Sequence, residues 1–402
     1  MKSPLVVLIL IVLADLMGFS LVVPLLPPFA KQYGFSPWQI GLLMAAYPLC
    51  QLVAAPFLGR LSDRYGRRPV LVLSQAGTAL SFLVLGLSRD FTVMLLARGL
   101  DGASGGNFLV AQAYIADVTR PEDRAKGYGM LGAAFGVGFV LGPILGAGML
   151  ALVPEDVSWR LRMPFLVAAA FSTLAWVLVL VKLPESLPPG GPEQAANVLT
   201  WRGVLDTISS RDIGLLVLTG SLLALGFSAL EGTFSLYLQD RVGWGPEKQV
   251  LGYAFVGVTI AIVQGGLIRS LVPRFGETHL LIYGITSVAT GLTLLAIVPK
   301  GTIVFLLFAV FVTCQGQAIA SPSLQGLLSR LTPATEQGAV FGAFASAQTL
   351  CRMLNYLVAN VLLGMNASTP YWEASALVGL ALLVASFWYL GGGRERAQPV
   401  VP

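Results

Sequence analysis

The chain alternates between long apolar runs and short polar loops. Twelve apolar runs, each of about twenty residues or more, are long enough to cross a hydrocarbon core roughly 30 Å thick as α-helices. The pattern therefore predicts an all-α integral membrane protein with twelve transmembrane helices, which we number as spans 1 to 12. The predicted spans cover residues 5–30, 38–59, 69–88, 91–116, 125–152, 163–182, 212–238, 248–271, 278–298, 302–330, 337–363 and 371–391.

One long polar segment interrupts this alternation. Residues 183–211 are rich in Pro and Gly, whereas the loops elsewhere are short. A break of this kind between the sixth and seventh spans predicts two six-helix bundles joined by a linker. The predicted domains are an N-terminal bundle over 1–182, a cytoplasmic linker over 183–211, a C-terminal bundle over 212–393 and a cytoplasmic tail over 394–402.

The two halves repeat each other in outline. The sequence R-Y-G at 64–66 recurs as R-F-G at 274–276, and the eleven residues 119–129 match 332–342. Repeats of this kind are typical of transporters that are built from two parallel repeats and bind substrate near the membrane midplane. The pattern therefore predicts two pseudo-symmetric halves and a central substrate cavity.

Basic residues are distributed unevenly between the two sides of the membrane. The termini and the loops on their side hold sixteen Lys and Arg residues, and the opposite loops hold seven. Because cytoplasmic loops carry the excess, we expect both termini in the cytoplasm and the protein in the cell (inner) membrane. The net charge of +5 is then a topology signal, and no nucleic-acid partner is expected. One His and three scattered Cys give no metal-ligand pattern, so we expect no metal.

The loop between spans 2 and 3 is densely charged. Residues 59–69 read G-R-L-S-D-R-Y-G-R-R-P, with five charged residues. This stretch resembles the G-x-L-x-D-R-x-G-R-R-P signature of the major facilitator superfamily. The resemblance implies a gating loop in which Asp63 faces the start of helix 11 near 336–338, and the repeated loop has Pro273 where Asp63 stands. The implied gating residues are Gly59, Asp63, Arg64, Gly66, Arg67 and Arg68, with Asp117 and Arg124 as further members of the cluster.

Span 4 contains two charged residues, Arg98 and Asp101. A charge within a span is costly unless it is paired or lies in a wet cavity, so we expect a functional role. Arg98 and Gly102 resemble the superfamily's helix-4 motif R-x-x-x-G, which often has Gln where Asp101 stands here. The alternative is a local Arg98–Asp101 pair, three residues apart on one helix face, that serves packing only.

Span 5 has a Gly every few residues on either side of a Pro. Such small residues let a neighbouring helix approach closely. The stretch resembles the G-x-x-x-G-P-x-x-G signature of antiporters in the same superfamily, carried here by Gly138, Gly142, Pro143 and Gly146. The resemblance implies antiport, and therefore export rather than import. Generic glycine packing is the alternative.

Span 1 contains an acid, Asp15, about midway along its length. Such a carboxyl is least costly when it carries a proton or pairs with a cation, and Arg98 is the cation we expect. The pattern D-x-M-G-x-x-L-x-x-P-x-L-P over 15–27 resembles helix 1 of bacterial tetracycline efflux proteins, which implies that Asp15 takes part in proton coupling. Those proteins also place a His in helix 8, whereas His279 lies at the start of span 9. The alternative for Asp15 is a structural acid.

The second half has charged residues within spans at Glu231 and Arg352. These two could pair with each other, or Glu231 could bind a cationic substrate. The predicted proton-coupling residues are Asp15, Arg98, Asp101 and Glu231. The predicted substrate cavity is lined by Asp15, Glu231, Tyr237, Gln264, Gln315, Arg352 and Asn355.

Together these patterns predict a proton-coupled secondary transporter that resembles the twelve-helix drug/proton antiporters of the superfamily. We expect it to export small amphipathic or cationic compounds by alternating access, as a monomer in the lipid bilayer, driven by the proton gradient without a cofactor. The alternative on the same fold is a sugar or metabolite transporter, working as a symporter or a facilitator. A non-transporting sensor is disfavoured because buried charges are costly without a purpose. An enzyme is disfavoured because no nucleophile–base pair is visible.

Overall fold

The structure is a computed structural model that describes residues 4–120, 124–154, 157, 159–187, 210–333 and 336–393. Within these residues all regular secondary structure is helical, which confirms the predicted all-α class. Most of the predicted linker and all of the predicted tail, residues 188–209 and 394–402, lie outside the described residues.

The described helices follow the predicted order. The first half contains α1 (Pro4–Val22), α2 (Leu26–Gln32), α3 (Pro37–Tyr65), α4 (Arg67–Leu87), α5 (Phe91–Ser104), α6 (Asn107–Val118), α7 (Arg124–Leu152) and α8 (Met163–Lys182). The second half contains α9 (Arg211–Val242), α10 (Pro246–Ile262), α11 (Ile268–Ile297), α12 (Ile303–Leu331), α13 (Gln337–Met365) and α14 (Thr369–Trp388). Short irregular helical turns occur at Arg160–Arg162, Val263–Leu267 and Tyr389–Gly393.

Local sequence explains where several of these helices begin. At the start of α3, the Ser36 backbone N–H donates to Gln39 Oε1 at 2.9 Å in a capping box, and Pro37 occupies the first turn. Asp90 caps α5 by accepting a hydrogen bond from the Val93 N–H at 3.0 Å. These side chains satisfy N–H groups that the first turn of a helix leaves without a partner.

Two predicted spans are interrupted helices. Span 1 consists of α1 and α2, and Pro24 lies at the break, where a residue without an N–H is tolerated. Span 4 consists of α5 and α6, separated by Gly105 and Gly106. Spans 8 and 9, in contrast, are joined directly, and the helical run bends at Gly276. This residue has a φ of 74° and a ψ of 155°, a backbone conformation that suits glycine.

Among the described residues, nine helices or helical runs are long and apolar enough to cross a membrane by themselves. One of them is the 52-residue run Pro246–Ile297, which contains both span 8 and span 9. Span 4 is divided into two short helices, and α13, which forms span 11, is not among the nine. With these differences taken into account, the helices correspond to the twelve predicted spans.

Helix contacts divide the chain into two compact units. Unit 1 comprises residues 1–196 and 244–257, and unit 2 comprises 197–243 and 258–402. In unit 1, α1 packs against α7 and α8, and α4 packs against α5 and α8. In unit 2, α9 packs against α13 and α14, and α11 packs against α12 and α14. Equivalent spans therefore contact each other within each half, as expected for an internal repeat.

Small residues set close helix contacts in unit 2. A Cβ on Gly284 of α11 would lie 2.7 Å from Ala320 N, and a Cβ on Gly316 of α12 would lie 2.7 Å from Gly284 O. A side chain has no room at either position, so the backbones of α11 and α12 meet directly. Backbone proximity of this kind stabilises helix pairs in lipid, where the hydrophobic effect between helices is weak.

Candidate functional site

Asp15 lies on α1 among amide side chains from two other helices. Asn107 Nδ2, at the start of α6, donates a hydrogen bond to Asp15 Oδ2 at 3.2 Å. Gln75 of α4 approaches the same carboxylate without reaching hydrogen-bond geometry. Asp15 Oδ1 is buried and has no hydrogen-bond partner among the described residues. The carboxylate is therefore held by amide dipoles, and no described cation bonds to it.

Arg98 and Asp101 form a buried ion pair on α5. Arg98 Nη1 lies 2.7 Å from Asp101 Oδ2, and each side chain is 3% exposed. The Arg98 guanidinium also lies over the Tyr47 ring, 5.0 Å from its centroid, and its Nε donates to Leu43 O at 3.4 Å. A pair at this short distance and with this little exposure compensates its own charge within the membrane interior.

This geometry differs from the pairing expected from the sequence. Arg98 is bonded to Asp101, and Asp15 receives its hydrogen bond from Asn107 instead. The physical reason is that residues three apart on one helix already face each other, whereas a partner on another helix must be brought in by tertiary packing. The alternative raised from the sequence, a local Arg98–Asp101 pair, is the arrangement in this conformation.

The charged loop between α3 and α4 is organised around Arg67. Arg67 Nη1 lies 2.5 Å from Asp63 Oδ1, and Arg67 Nε lies 3.1 Å from Asp117 Oδ2 at the end of α6. The Arg67 side chain is 9% exposed, and its Nη1 also donates to Ser62 Oγ at 2.7 Å. The structure thus brings Asp63, Arg67 and Asp117 together. Arg124 donates to a backbone carbonyl, Ala116 O, at 3.2 Å.

Sequence reasoning missed Glu185, which follows α8. Its carboxylate accepts hydrogen bonds from the backbone N–H groups of Arg67 at 2.8 Å and Arg68 at 3.1 Å, at the start of α4. An anion at a helix N-terminus satisfies free N–H groups and is favoured by the helix dipole. Ser186 Oγ donates to Asp117 Oδ2 at 2.9 Å, so this segment joins the same cluster. The sequence feature that could have indicated this contact is the position of Glu185, an acid directly after span 6.

The second half has an ion pair at the equivalent place. Glu277, directly after the positive-φ residue Gly276, lies 2.9 Å from Arg330 at the end of α12. The repeat aligns Glu277 with Arg67 and Arg330 with Asp117, so the same bridge exists with its charges exchanged. Sequence reasoning noted only the missing acid at Pro273 and did not find this bridge.

The glycines of α7 divide into two groups. A Cβ on Gly138 would lie 2.8 Å from Leu16 Cβ, and a Cβ on Gly142 would lie 2.9 Å from Met17 O, so both face α1 at close range. A Cβ on Gly146 would lie 3.3 Å from Val250 Cγ1. Gly136 has nothing within 4 Å of such an added atom. The three signature glycines therefore lie at tight contacts, as does Gly127 outside the signature, where a Cβ would lie 2.6 Å from Ile115 Cγ2. By contrast, a Cβ on Gly59 would make only an ordinary 3.7 Å contact.

Unit 2 contains the ion pair of Glu231 and Arg352. Glu231 Oε1 lies 3.5 Å from Arg352 Nη1, and the Tyr356 hydroxyl donates to Glu231 Oε2 at 3.0 Å. The side chains of Glu231 and Arg352 are 28% and 39% exposed. The first of the two possibilities from the sequence, a Glu231–Arg352 pair, is thus present, and both members remain accessible.

Three of the predicted cavity residues form hydrogen bonds to neighbouring helices. Tyr237 is fully buried and donates to Leu295 O, and Gln315 donates to Ser287 Oγ. Asn355 is buried and donates to Leu225 O at 2.6 Å. These side chains satisfy backbone or hydroxyl groups of neighbouring helices. Gln264 is exposed and lies in the π-helical turn Val263–Leu267.

Comparison with known proteins identifies the family. The model of the Major Facilitator Superfamily matches residues 8–355. The chain belongs to this superfamily. It is 31% identical to the tetracycline resistance protein, class B, of Escherichia coli over 391 residues, which cover 95% of this chain and 93% of that protein. Members of the superfamily are transporters, so this chain is a multi-pass membrane transporter and not an enzyme.

Solved structures agree with the fold. The human organic anion transporter MFSD10 (TETRAN) matches with a TM-score of 0.68 and 26% identity, over 96% of this chain and all of that one. The nucleoside transporter NupG matches with a TM-score of 0.78 over 96% of this chain and 99% of that one. At 14% identity, the second match bears on the fold alone.

Proposed function

We propose that the protein is a proton-coupled exporter of small amphipathic or cationic compounds. The observation that carries the proposal is Asp15, a carboxylate inside a membrane helix whose charge no described cation compensates, beside the neutral Arg98–Asp101 pair. Similarity to a tetracycline resistance protein over nearly the whole chain supports a drug as cargo. The protein works in the inner membrane with both termini in the cytoplasm, driven by the proton gradient without a cofactor.

Asp15 is the proton carrier in this proposal. A proton from the outside neutralises the carboxylate, and its release to the cytoplasm restores the charge. Protonation drives transport only if it favours one conformation over the other, because a site with equal proton affinity in both conformations shifts no equilibrium. In this proposal two interactions distinguish the conformations: the hydrogen bond from Asn107, and the electrostatic interaction of Asp15 with Asp101.

Glu231 and Arg352 are the proposed substrate contacts. Both side chains are partly exposed and their nitrogen–oxygen separation is 3.5 Å, so a charged substrate group can replace one member of the pair. A cationic compound would bind Glu231 in place of Arg352, with the Tyr356 hydroxyl holding the carboxylate in position. An organic anion would bind Arg352 instead. The 26% identity to an organic anion transporter supports organic anions as the second candidate class.

Proteoliposomes that contain a pH-sensitive dye would test the proposal. A proton gradient is imposed, and tetracycline, cationic drugs, organic anions and sugars are added in turn. We expect drug-dependent proton movement with the wild type and none with Asp15→Asn. Asp90→Asn is the matched control, because Asn also caps a helix and Asp90 lies at an exposed loop end.

Two results would contradict this proposal. Drug-dependent proton movement that persists in Asp15→Asn would move the proton site away from Asp15. Proton movement that depends on sugars or other metabolites, and on no drug, would replace the export proposal by the symporter alternative.

A further inference from the structure

Asp15 and two amide side chains beside it have buried polar atoms without hydrogen-bond partners among the described residues, Gln75 Nε2 included. Asp15 Oδ1, Gln75 Oε1 and Asn107 Oδ1 are all buried and accept no hydrogen bond from the described residues. Gln75 is 1% exposed and Asn107 is 6% exposed. Asn107 contacts the Asp15 carboxylate directly at 3.2 Å, and Gln75 approaches it from α4. The three side chains therefore lie together between α1, α4 and α6, with the Asn107 amide nitrogen toward the carboxylate.

Buried oxygens without partners are costly, and most such groups in proteins are satisfied. A proton on Asp15 supplies a single O–H donor, which can satisfy only one of the two amide oxygens. A small cation satisfies the carboxylate and both amides at once, because carboxylate and amide oxygens are the ligands that hard cations prefer. Rotation of each amide by half a turn exchanges its nitrogen and oxygen, so both can present oxygen to a cation.

The charge of the surroundings fits a monovalent cation. Arg98 and Asp101 neutralise each other on α5, and the charged residues of α4, α6, α7 and α8 lie at the ends of those helices. Tyr47 on α3 is a neutral neighbour of the pair. The ionised Asp15 therefore leaves one net negative charge, which a monovalent ion cancels. A divalent ion would leave a positive charge within the membrane interior, which is costly.

We propose that Asp15, Gln75 and Asn107 form a sodium site in which Na⁺ competes with the proton. A carboxylate favours the smaller alkali ion because its charge density is high, so potassium binds more weakly. The inference rests on the proposed role of Asp15 as the ion-carrying carboxylate, and sodium then becomes a second coupling ion or an inhibitor of proton binding. Its test below measures binding and needs no transport.

Thermal unfolding of the purified full-length protein in detergent measures this binding. An ion that binds only the folded state raises the unfolding midpoint in a concentration-dependent way. Sodium chloride is compared with equal concentrations of potassium chloride and N-methyl-D-glucamine chloride, at alkaline and at acidic pH. We expect a saturable rise of several °C that is specific for sodium and smaller at acidic pH, where protons compete.

Substitutions at Gln75 separate cation binding from a merely structural role. Gln75→Leu removes the oxygen and should abolish the sodium-specific rise, whereas Gln75→Glu keeps an oxygen there and should retain or increase it. Gln348→Leu is the matched control, because Gln348 lies within α13 and donates to Gly220 O in unit 2. It should leave the sodium effect unchanged.

The inference is overturned if sodium, potassium and N-methyl-D-glucamine raise the midpoint of the wild type equally. It is also overturned if Gln75→Leu keeps the full sodium effect. Sodium binding without drug-dependent proton movement would leave this site intact and remove only the proposed function. Proton-coupled drug movement without sodium binding would do the reverse.

Discussion

Both units hold an ion pair between charged residues within membrane helices, but the two pairs differ in exposure. In unit 1, Arg98 and Asp101 are 2.7 Å apart and 3% exposed. In unit 2, Glu231 and Arg352 are 3.5 Å apart and 28% and 39% exposed. A buried pair cannot exchange partners without exposing a bare charge, whereas an accessible pair can. The difference indicates that the charges of the first half are fixed in their pair, whereas those of the second half remain accessible.

The charged loops of the two halves differ in another way. Arg67 pairs with Asp117 in the first half, and Glu277 pairs with Arg330 in the second, at aligned positions with opposite charges. An ion pair joins these two positions whether the first carries the base and the second the acid, or the reverse. The repeat has therefore kept the bridge and not the residue types. The additional contacts of Arg67 with Asp63 have no counterpart because Pro273 replaces the acid.

The largest expected difference between the units concerns their ion pairs. Arg98→Ala leaves Asp101 buried and unpaired, which should lower the free energy of unfolding by about 3–5 kcal/mol. Arg352→Ala breaks an accessible pair and should cost no more than about 1 kcal/mol. Denaturant unfolding in detergent measures both. Equal losses in the free energy of unfolding for the two variants would show that the difference in exposure does not change how much each pair contributes to stability.

The two positive-φ glycines of the loops should respond unequally to a side chain. Gly66 (φ 100°) and Gly276 (φ 74°) adopt backbone conformations that suit glycine, so Gly66→Ala and Gly276→Ala should each cost about 1–3 kcal/mol. A Cβ on Gly66 would also lie 2.7 Å from Glu185 Cδ, whereas Gly276 has open space. Displacing this helix cap should cost about 1 kcal/mol more. Thermal unfolding midpoints of the two variants test this order.

Two glycines of α7 offer a comparison within unit 1. Gly142→Ala would place a methyl group against Ser20 and Met17 of α1 and should destabilise the protein by about 1–3 kcal/mol through overpacking. Gly136→Ala meets nothing within 4 Å and should stabilise it by up to about 1 kcal/mol, since Ala is the better helix former. Denaturant unfolding measures both changes. A stabilising Gly142→Ala would contradict the close contact.

The smallest expected effect concerns the exchanged bridges. The double variant Glu277→Arg/Arg330→Glu restores a pair with reversed charges and should change the free energy of unfolding by less than about 0.5 kcal/mol, since the Arg330 side chain is 46% exposed. The double variant Arg67→Glu/Asp117→Arg places a carboxylate beside Asp63 and should remain less stable than the wild type. Identical unfolding midpoints for both double variants would contradict the expected repulsion between Asp63 and the new carboxylate at position 67.

Much of the fold followed from the sequence because lipid requires long apolar helices. The twelve spans, the internal repeat and the charged loop were all predictable, and so was the glycine signature of α7, whose members do lie at close contacts. The break of span 4 at Gly105 and Gly106 was not predicted, because isolated glycines also occur within intact membrane helices. The presence of Glu185 at the start of α4 required the tertiary structure, since 118 residues separate it from Arg67.

The sequence by itself determined which residues are costly in a membrane. Asp15, Arg98, Asp101, Glu231 and Arg352 stand out in apolar runs whatever their surroundings. Only the tertiary structure decided their partners. A helix that is apolar on all sides, as α1 is, gives no periodic signal for the face it turns inward. Packing sets that rotation, and it therefore decides that Asp15 meets Asn107 and Gln75 while Arg98 keeps Asp101.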